Sequence, residues 1–458
     1  MRPATAEVHS IPMDRSSVRR RRPARLAPAG HAYSRFLPHQ FLGLLGKTDV
    51  SDIRLGDNVE TMMTVLFADI RGFTSLSESM TPRENFRFIN SYLRQMEPAL
   101  FRSRGIIDKY IGDAIMALFP TSADDAVRGA IGMLEALRRF NRTRRRSGEP
   151  SIRIGIGLNT GPAMAGAIGG PRRMETTVIS DTVNLASRLE SLTKTYGVPL
   201  LISEHVLNSL ADSTAYDVRF VDRVRVRGKE QPQSLYEVFD ADPPALRAAK
   251  RDTKDLFEEA LAHYHFREIP AACRLLRRCL ARCPGDRVAR VYRDRCARYR
   301  ESGVHEGTGE AGKSVPWGPT RRIGHALIDE QHRNLFASVN RFARAAGRAK
   351  TGAQIEEISA FLRRYVVEHF ATEERCMLKA RYPLLDVHRL QHARFARDFS
   401  ILDAELRERL ATHRIFLQFK IQLLVVDWLV NHTMKLDGHF GRYLAARGRG
   451  RAATRGGR

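Results

Sequence analysis

The stretches TVLFADIRGFTSLSESM (residues 64–80) and GIIDKYIGDAIMALFP (residues 105–120) decide how the first half of this chain folds. The first stretch predicts a buried apolar strand that delivers Asp69 at its end. The second predicts a β-hairpin with Asp113 at its tip. Carboxylates at the ends of adjacent buried strands repel each other and lose water, which is costly unless a hard dication lies between them. Either aspartate alone is explained as an ordinary turn residue, but the pair indicates a metal site. A phosphate compound is the usual second ligand at such a site.

Length and composition limit the possible classes of protein. The chain has 458 residues, enough for two or three domains, and a formal net charge of +25. Much of that charge is arginine in residues 1–31 and 447–458, which predict disordered segments, so we expect no specific nucleic-acid binding. The sequence has no apolar run of membrane-spanning length and no secretion signal, which predicts a cytoplasmic protein without a transmembrane segment. Four of the five cysteines fall in one helical region without a CxxC pair, which favours buried reduced thiols over a zinc site.

Hydrophobic periodicity divides the rest of the chain. Alternating helices and strands predict an α+β domain, whereas the last part contains four long helical patterns joined by short loops, which predict an up-and-down four-helix bundle. A three-helix segment between them resembles a tetratricopeptide-like hairpin and is too short to stand alone. We interpret the glycine-rich run NTGPAMAGAIGG (159–170) as a turn between two strands. The predicted parts are 32–60 (short helix and linker), 61–241 (α+β domain), 250–301 (three helices), 302–316 (flexible linker) and 317–446 (bundle).

The words FADIRGFTSLSE, DKYIGDAIMALF and VISDTVNLASRLE resemble the catalytic domain of class III nucleotidyl cyclases. This resemblance implies a ferredoxin-like α+β fold that cyclises a nucleoside triphosphate with two Mg²⁺ or Mn²⁺ ions per site. Asp69 and Asp113 match the family's metal carboxylates, and the carbonyl of Ile70 would complete the cage. Asn184 and Arg188 lie four residues apart on one helical face and match the ribose-orienting asparagine and the transition-state arginine.

The resemblance also predicts which nucleotide base is recognised and that a second chain takes part. Lys109 occupies the purine-reading position and Thr177 its partner position, and a lysine suits the N1 acceptor of adenine, so ATP is the expected substrate. The family's phosphate-contacting lysine is replaced by Arg227, and Lys229 could share that task. In the family, the metal aspartates of one protomer face the lysine, asparagine and arginine of the other. The chain carries both sets, which implies a homodimer with two equivalent sites.

Histidines and carboxylates recur at helical spacings in the predicted bundle. If they face inward, these potential ligands indicate a dinuclear metal site, and nitrogen-rich ligation with two carboxylates suits iron. The words IDEQH, YVVEHFATEERCM, YPLLDVHRLQH and WLVNHTMKLD resemble a bacterial hemerythrin. That resemblance implies two iron ions and O2 binding, with the two carboxylates bridging the irons. The seven matching positions are His332, His369, Glu373, His388, His392, His432 and Asp437.

These patterns together predict a homodimeric adenylate cyclase whose output, cyclic AMP and pyrophosphate, depends on O2 or on another small oxidant or gas at a di-iron bundle. Two alternatives remain open from the sequence. One is a guanylate cyclase with the same regulation. The other is an oxygen- or iron-binding protein whose cyclase domain is inactive.

Overall fold

A computed structural model describes residues 39–170, 173–224, 233–303, 306, 317–345, 352–409, 414–421 and 432–455. Within these ranges, helices that combine the length and the apolarity needed to cross a membrane are absent. Several predictions fall outside the described residues: the basic segment at 1–31, most of the linker at 302–316, and the phosphate contacts Arg227 and Lys229.

The first unit is a mixed sheet covered by helices. Its sheet has the strand order β2-β3-β1-β4-β6-β8-β7, with β5 paired to β4. The elements in chain order are α1 (His39–Leu44), β1 (Asn58–Ile70), α2 (Phe73–Glu78), α3 (Pro82–Arg102), β2 (Ile106–Ile111), β3 (Ala114–Phe119), α4 (Ala123–Arg146), β4 (Ile154–Gly170), β5 (Arg173–Ile179), α5 (Asp181–Tyr196), β6 (Leu200–Ser203), α6 (Glu204–Leu207), β7 (Val218–Val224) and β8 (Gln233–Val238).

The glycine-rich run lies inside a strand, so the predicted turn is wrong. β4 is one continuous strand of 17 residues that pairs with β1 from Asn58↔Gly166 to Ile70↔Ile154. Its glycines serve close contact with α5 instead of a turn. A Cβ at Gly157 would lie 2.5 Å from the carbonyl oxygen of Ala186, and one at Gly161 would lie 2.5 Å from the Thr182 hydroxyl. Glycine therefore allows the helix to approach the strand backbone.

Local capping fixes where the covering helices begin. Thr81 accepts a hydrogen bond from the Glu84 N–H while the Glu84 side chain accepts from Thr81, with Pro82 in the first turn. Ser180 is the N-cap of α5, because its hydroxyl accepts from the N–H groups of Thr182 and Val183. The residue before α5 thus sets the start of the helix on which Asn184 lies.

The three-helix segment is α7 (Pro244–His265), α8 (Ile269–Arg282) and α9 (Arg287–Ser302). It shares one hydrophobic cluster with the sheet, in which Phe257 and Tyr292 join Phe220. Buried ion pairs reinforce the contact: the guanidinium of Arg219 donates to both oxygens of Asp286, at 2.5 and 2.8 Å. Bidentate pairs of this kind fix geometry, so the segment is held firmly against the sheet.

The bundle follows with α10 (Ala326–Ala345), α11 (Gly352–Ala380), α12 (Leu385–Arg409) and α13 (Arg414–Ile421). A π-helical turn, Thr433–Asp437, leads into α14 (Gly438–Arg455). The helix α14 extends into the Arg/Gly segment at 447–458, where the sequence predicts disorder. A core of apolar side chains, including Leu335, Leu362 and Phe395, fills the bundle and reaches its histidines, since Phe370 of the same cluster stacks on His392.

Candidate functional site

The first candidate site is formed by Asp69 at the end of β1 and Asp113 at the β2–β3 turn. β1 pairs with β3 up to Ala68↔Ile115, which brings the two ends together. The Ile70 N–H donates to Asp113 Oδ2 at 3.2 Å. Burial, followed by the hydrogen bond and charge of Asp69, raises the pKa of Asp113 to about 7. Two half-buried carboxylates that destabilise each other's charge suit a divalent cation.

The structure also brings together the two residues predicted to read the base. The Thr177 hydroxyl donates to Asp108 Oδ2 at 3.4 Å, and Lys109 Nζ lies 3.6 Å from the same oxygen. Lys109 also pairs with Glu175 of β5. The β2–β3 register shifts between Ile107 and Lys109, and such a bulge re-aims side chains at the end of a strand.

Two members of this group, Asp108 and Glu175, were missed by the sequence analysis. Burial raises the pKa of Asp108 to about 6, although Lys109 and Thr177 oppose that shift. The sequence did contain one signal for Asp108, namely its position directly before Lys109. Strand alternation would place adjacent residues on opposite faces, and only the bulge changes this.

Asn184 and Arg188 lie on the exposed side of α5. The opposite side of the helix contains Leu185, Ala186 and Leu189, which are buried. The two predicted catalytic residues therefore face outward from the protomer.

An ion pair links this helix to the carboxylate site. Arg71, two residues after Asp69, places Nη1 3.6 Å from Glu190 Oε1 of α5, and both side chains are largely buried. This pair was not predicted from the sequence. It ties the loop after β1 to the helix that carries Asn184 and Arg188.

The second candidate site lies in the bundle, where all seven predicted ligands meet. They form two groups of four, and within each group the candidate ligand atoms lie within 4.8 Å of one another. Glu373 belongs to both groups, and Asp437 Oδ1 is 2.9 Å from His388 Nε2 and 3.3 Å from His432 Nε2. All seven side chains are buried. The groups are His332, His369, Glu373 and Asp437, and Glu373, His388, His392 and His432.

The electrostatics of this cluster fit cations. Both Glu373 oxygens, Asp437 Oδ2 and His369 Nε2 are buried without a hydrogen-bond partner among the described residues. Burial lowers the pKa of His369 to about 4. Burial opposes ionisation of Glu373, but the surrounding histidines hold its pKa well below its usual range. Unsatisfied carboxylate oxygens beside a neutral imidazole are the donor set of a metal site.

Neighbouring polar groups orient the imidazoles. His369 Nδ1 is 3.0 Å from Gln331 Oε1, and His392 Nδ1 is 2.9 Å from Glu374 Oε1. These contacts direct the Nε2 atoms into the cluster, as partners of metal-binding histidines usually do. Neither Gln331 nor Glu374 was predicted from the sequence, although Gln331 lies within the quoted stretch IDEQH and Glu374 within YVVEHFATEERCM.

Comparisons with known families agree with this division. Residues 57–238 match the adenylate and guanylate cyclase catalytic domain, and residues 324–444 match the hemerythrin HHE cation binding domain. The chain carries a cyclase catalytic domain followed by a hemerythrin domain. The cyclase domain implies use of a divalent metal, and the hemerythrin domain implies iron binding.

Several relatives resemble the cyclase domain. An adenylate cyclase of Anabaena cylindrica is 44% identical over 213 residues, which cover 45% of this chain and 42% of that protein. The terminal-differentiation specific adenylate cyclase of Dictyostelium discoideum is 35% identical over 269 residues, 57% of this chain and 13% of that protein. The chain thus spans less than half the length of these relatives. A crystal structure of the adenylyl cyclase CyaB from P. aeruginosa is 31% identical, with 40% of this chain and 96% of that one covered and a TM-score of 0.37.

Proposed function

We propose that this protein is an adenylate cyclase, which converts ATP to 3′,5′-cyclic AMP and pyrophosphate, and that its hemerythrin domain adjusts the rate in response to O2 or redox state. The observation that carries the enzymatic part is the meeting of Asp69 with Asp113 in a domain whose 44% identical relative is named an adenylate cyclase. The regulatory part is supported by the seven-residue cluster in the same chain.

The proposed reaction is an attack by the ribose 3′ oxygen on the α-phosphorus. One P–O bond forms, the bond to the β-phosphate bridge breaks, and pyrophosphate leaves. Divalent cations held by Asp69, Asp113 and the Ile70 carbonyl would lower the pKa of the 3′ hydroxyl and neutralise the triphosphate. Asn184 would hold the ribose, and the guanidinium of Arg188 would donate to the oxygens on which charge develops.

Adenine fits the base-reading group better than guanine does. Lys109 donates, which matches the N1 acceptor of adenine and opposes the N1–H of guanine. When the Thr177 hydroxyl donates to Asp108, its oxygen lone pairs remain available to accept from the N6 amino group. The ionised Asp108 therefore orients Thr177 toward an adenine-specific contact.

A homodimer would complete the site. The carboxylate pair and the outward-facing Asn184 and Arg188 are then contributed by different protomers, which gives two equivalent sites. Exposed apolar side chains on three strands of the sheet support a partner surface, since exposed apolar surface often marks an interface. They are Tyr110 and Ile111 of β2, Met164 and Ile168 of β4, and Met174 and Ile179 of β5.

The bundle would hold two iron ions, one in each group of four ligands, with Glu373 common to both groups and Asp437 of the first group lying beside His388 of the second. Bound iron would supply reversible O2 binding and a change of oxidation state. The chain's own contribution is a buried set of imidazoles, held by Gln331 and Glu374, that excludes water from the cluster.

A substrate competition tests the enzymatic part. We expect purified protein to form cyclic AMP from ATP and to discriminate against GTP, and we expect Lys109→Glu to reverse the preference. Lys109→Arg is the matched control, because it keeps the charge and therefore the preference. Preferential use of GTP by the unmodified protein favours the guanylate cyclase alternative, and no product from either nucleotide favours the inactive domain.

A second assay tests regulation. The cyclic AMP rate of the iron-loaded dimer is measured with reduced iron, with O2, and after oxidation. We expect the rates to differ, and equal rates in all three states would remove the regulatory half of the proposal.

A further inference from the structure

The hemerythrin bundle touches the cyclase domain through one of its ligand helices. Gln391 Nε2 of α12 donates to the Ser209 hydroxyl at 3.0 Å. Arg397 Nη1 donates to the Ala211 carbonyl at 2.5 Å. Both bonds, together with one from Arg394 to the Asn208 carbonyl at 3.4 Å, end on the loop at residues 208–211, which directly follows α6.

This contact lies within one residue of a candidate iron ligand. Gln391 immediately precedes His392 and follows His388 by three positions, so one turn of α12 presents imidazoles to the cluster and an amide to the loop. Gln391 is buried at 8% exposure, which means that the two surfaces meet closely there. A small rotation or shift of α12 that changes the ligand positions must also move the Gln391 amide.

A buried hydrogen-bond chain continues from α6 to the catalytic helix. Ser203, at the N-cap of α6, accepts from the Val206 N–H and donates its hydroxyl proton to Asn159 Oδ1 at 2.7 Å. Asn159 Nδ2 then donates to the Thr182 carbonyl in the first turn of α5, at 3.0 Å. Asn159, Ser203 and Thr182 are all buried, at 2%, 0% and 6% exposure. The amide of Asn159 thus bridges α6 to the helix that carries Asn184 and Arg188.

A narrow cleft lies beside this contact. His432 and Leu436 of the bundle line a cleft of about 60 Å³ together with Thr160 and Pro162 of β4. The Thr182 hydroxyl donates to the Pro162 carbonyl at 2.9 Å. The β4 wall of this cleft is therefore bonded to the first turn of α5.

We propose that Gln391 and Arg397 of α12, the loop at 208–211, and Asn159 form the path by which the state of the bundle reaches α5, with Asn159 as the positioning residue. The inference rests on the proposed regulation of a cyclase by this bundle. Because the domains touch directly, coupling does not require the segment at 302–316 to act as a lever. In this proposal α5 itself takes two positions, one for each state of the bundle. A shift between them would move Arg188 relative to the partner's substrate.

The test uses the full iron-loaded chain with the double variant Gln391→Ala, Arg397→Ala. The control is Arg407→Ala on the same helix, because Arg407 is exposed and donates to Asp403 of its own helix. We expect a rate ratio between oxygen states of about fivefold or more in the unmodified protein and in the control, the usual size of such coupling. In the double variant we expect that ratio to fall to about 1, with iron content unchanged and basal rate within about twofold.

The outcomes separate the two proposals. A double variant that keeps the full ratio overturns the path and leaves the regulation standing. An unmodified protein with a ratio of 1 overturns the regulation and, with it, the path.

Hydrogen exchange gives a readout that does not depend on turnover. Iron loading should change protection in residues 203–211 and 181–186, and the double variant should lose both changes. Asn159→Ala should keep the change at 203–211 and lose the change at 181–186, whereas equal changes in Asn159→Ala and the unmodified protein would contradict the role of Asn159.

Discussion

The two candidate metal sites differ in how much of the site one chain supplies. In the bundle, seven donor side chains from one chain are buried together. In the cyclase domain, Asp69 and Asp113 are only half-buried, and Asn184 and Arg188 face outward. A buried cluster of charges must be completed within the fold because water cannot stabilise it. An open half-site can be completed by a partner chain and a substrate, so the proposed chain association would control only the cyclase site.

The largest expected effect on one site alone is that of Asp69→Asn. We expect the cyclic AMP rate to fall about 1,000-fold, because removal of one metal carboxylate costs several kcal/mol in the transition state. Iron content and the optical spectrum of the bundle should stay unchanged, and their loss would show that the sites are not separate.

A mixture of two inactive variant chains tests whether each site is built from one chain or from two. Equal amounts of Asp69→Asn and Arg188→Ala chains should recover about a quarter of the unmodified rate, since half of the dimers are mixed and each mixed dimer has one intact site. Mixing His332→Ala with His432→Ala chains should restore no iron site, because each bundle needs all its ligands from one chain. Recovery of iron in that mixture would point to exchanged helices.

Gln331→Ala tests whether Gln331 orients His369 in the buried site. Loss of the contact with His369 Nδ1 should lower iron affinity about 10-fold, the lower end of the usual cost of removing such a partner. The measurement is iron retention against a chelator, with Gln354→Ala on α11 as the control. An unchanged affinity would mean that His369 is oriented by other groups.

The smallest expected effect is a pH dependence at Asp108. Its folded pKa of about 6 lies above the ordinary value of 3.8, so its ionisation opposes folding; this cost is full above about pH 6, decreases as the pH falls below 6, and is absent below 3.8. Protonation also weakens Asp108 as a hydrogen-bond acceptor for the Thr177 hydroxyl, so the KM for ATP should rise about threefold below pH 6. Asp108→Asn should remove this dependence between pH 5 and 7, and a KM that stays pH-dependent would assign it to another group.

Much of both sites could be predicted from sequence because the relevant residues lie at element ends or repeat at helical spacing. Asp69 ends a strongly apolar run, and the pairs His369–Glu373 and His388–His392 are four residues apart. Such spacing places side chains on one helical face whatever the helix packs against. The glycine-rich run was misinterpreted because glycine permits both a turn and a close helix contact, and local sequence does not distinguish them.

The sequence by itself determined the α+β and helical-bundle classes and the two strand-end aspartates, because periodicity and local turn chemistry encode them. The seven ligand positions came from helical spacing together with the resemblance to hemerythrins. Only the tertiary structure decided that β4 is continuous, that a bulge brings Asp108 beside Lys109 and Thr177, and that Gln391 meets Ser209. Those features depend on pairing between segments far apart in the chain. The contacts that stabilise them join residues that are distant in the sequence, so no short segment of the chain predicts them.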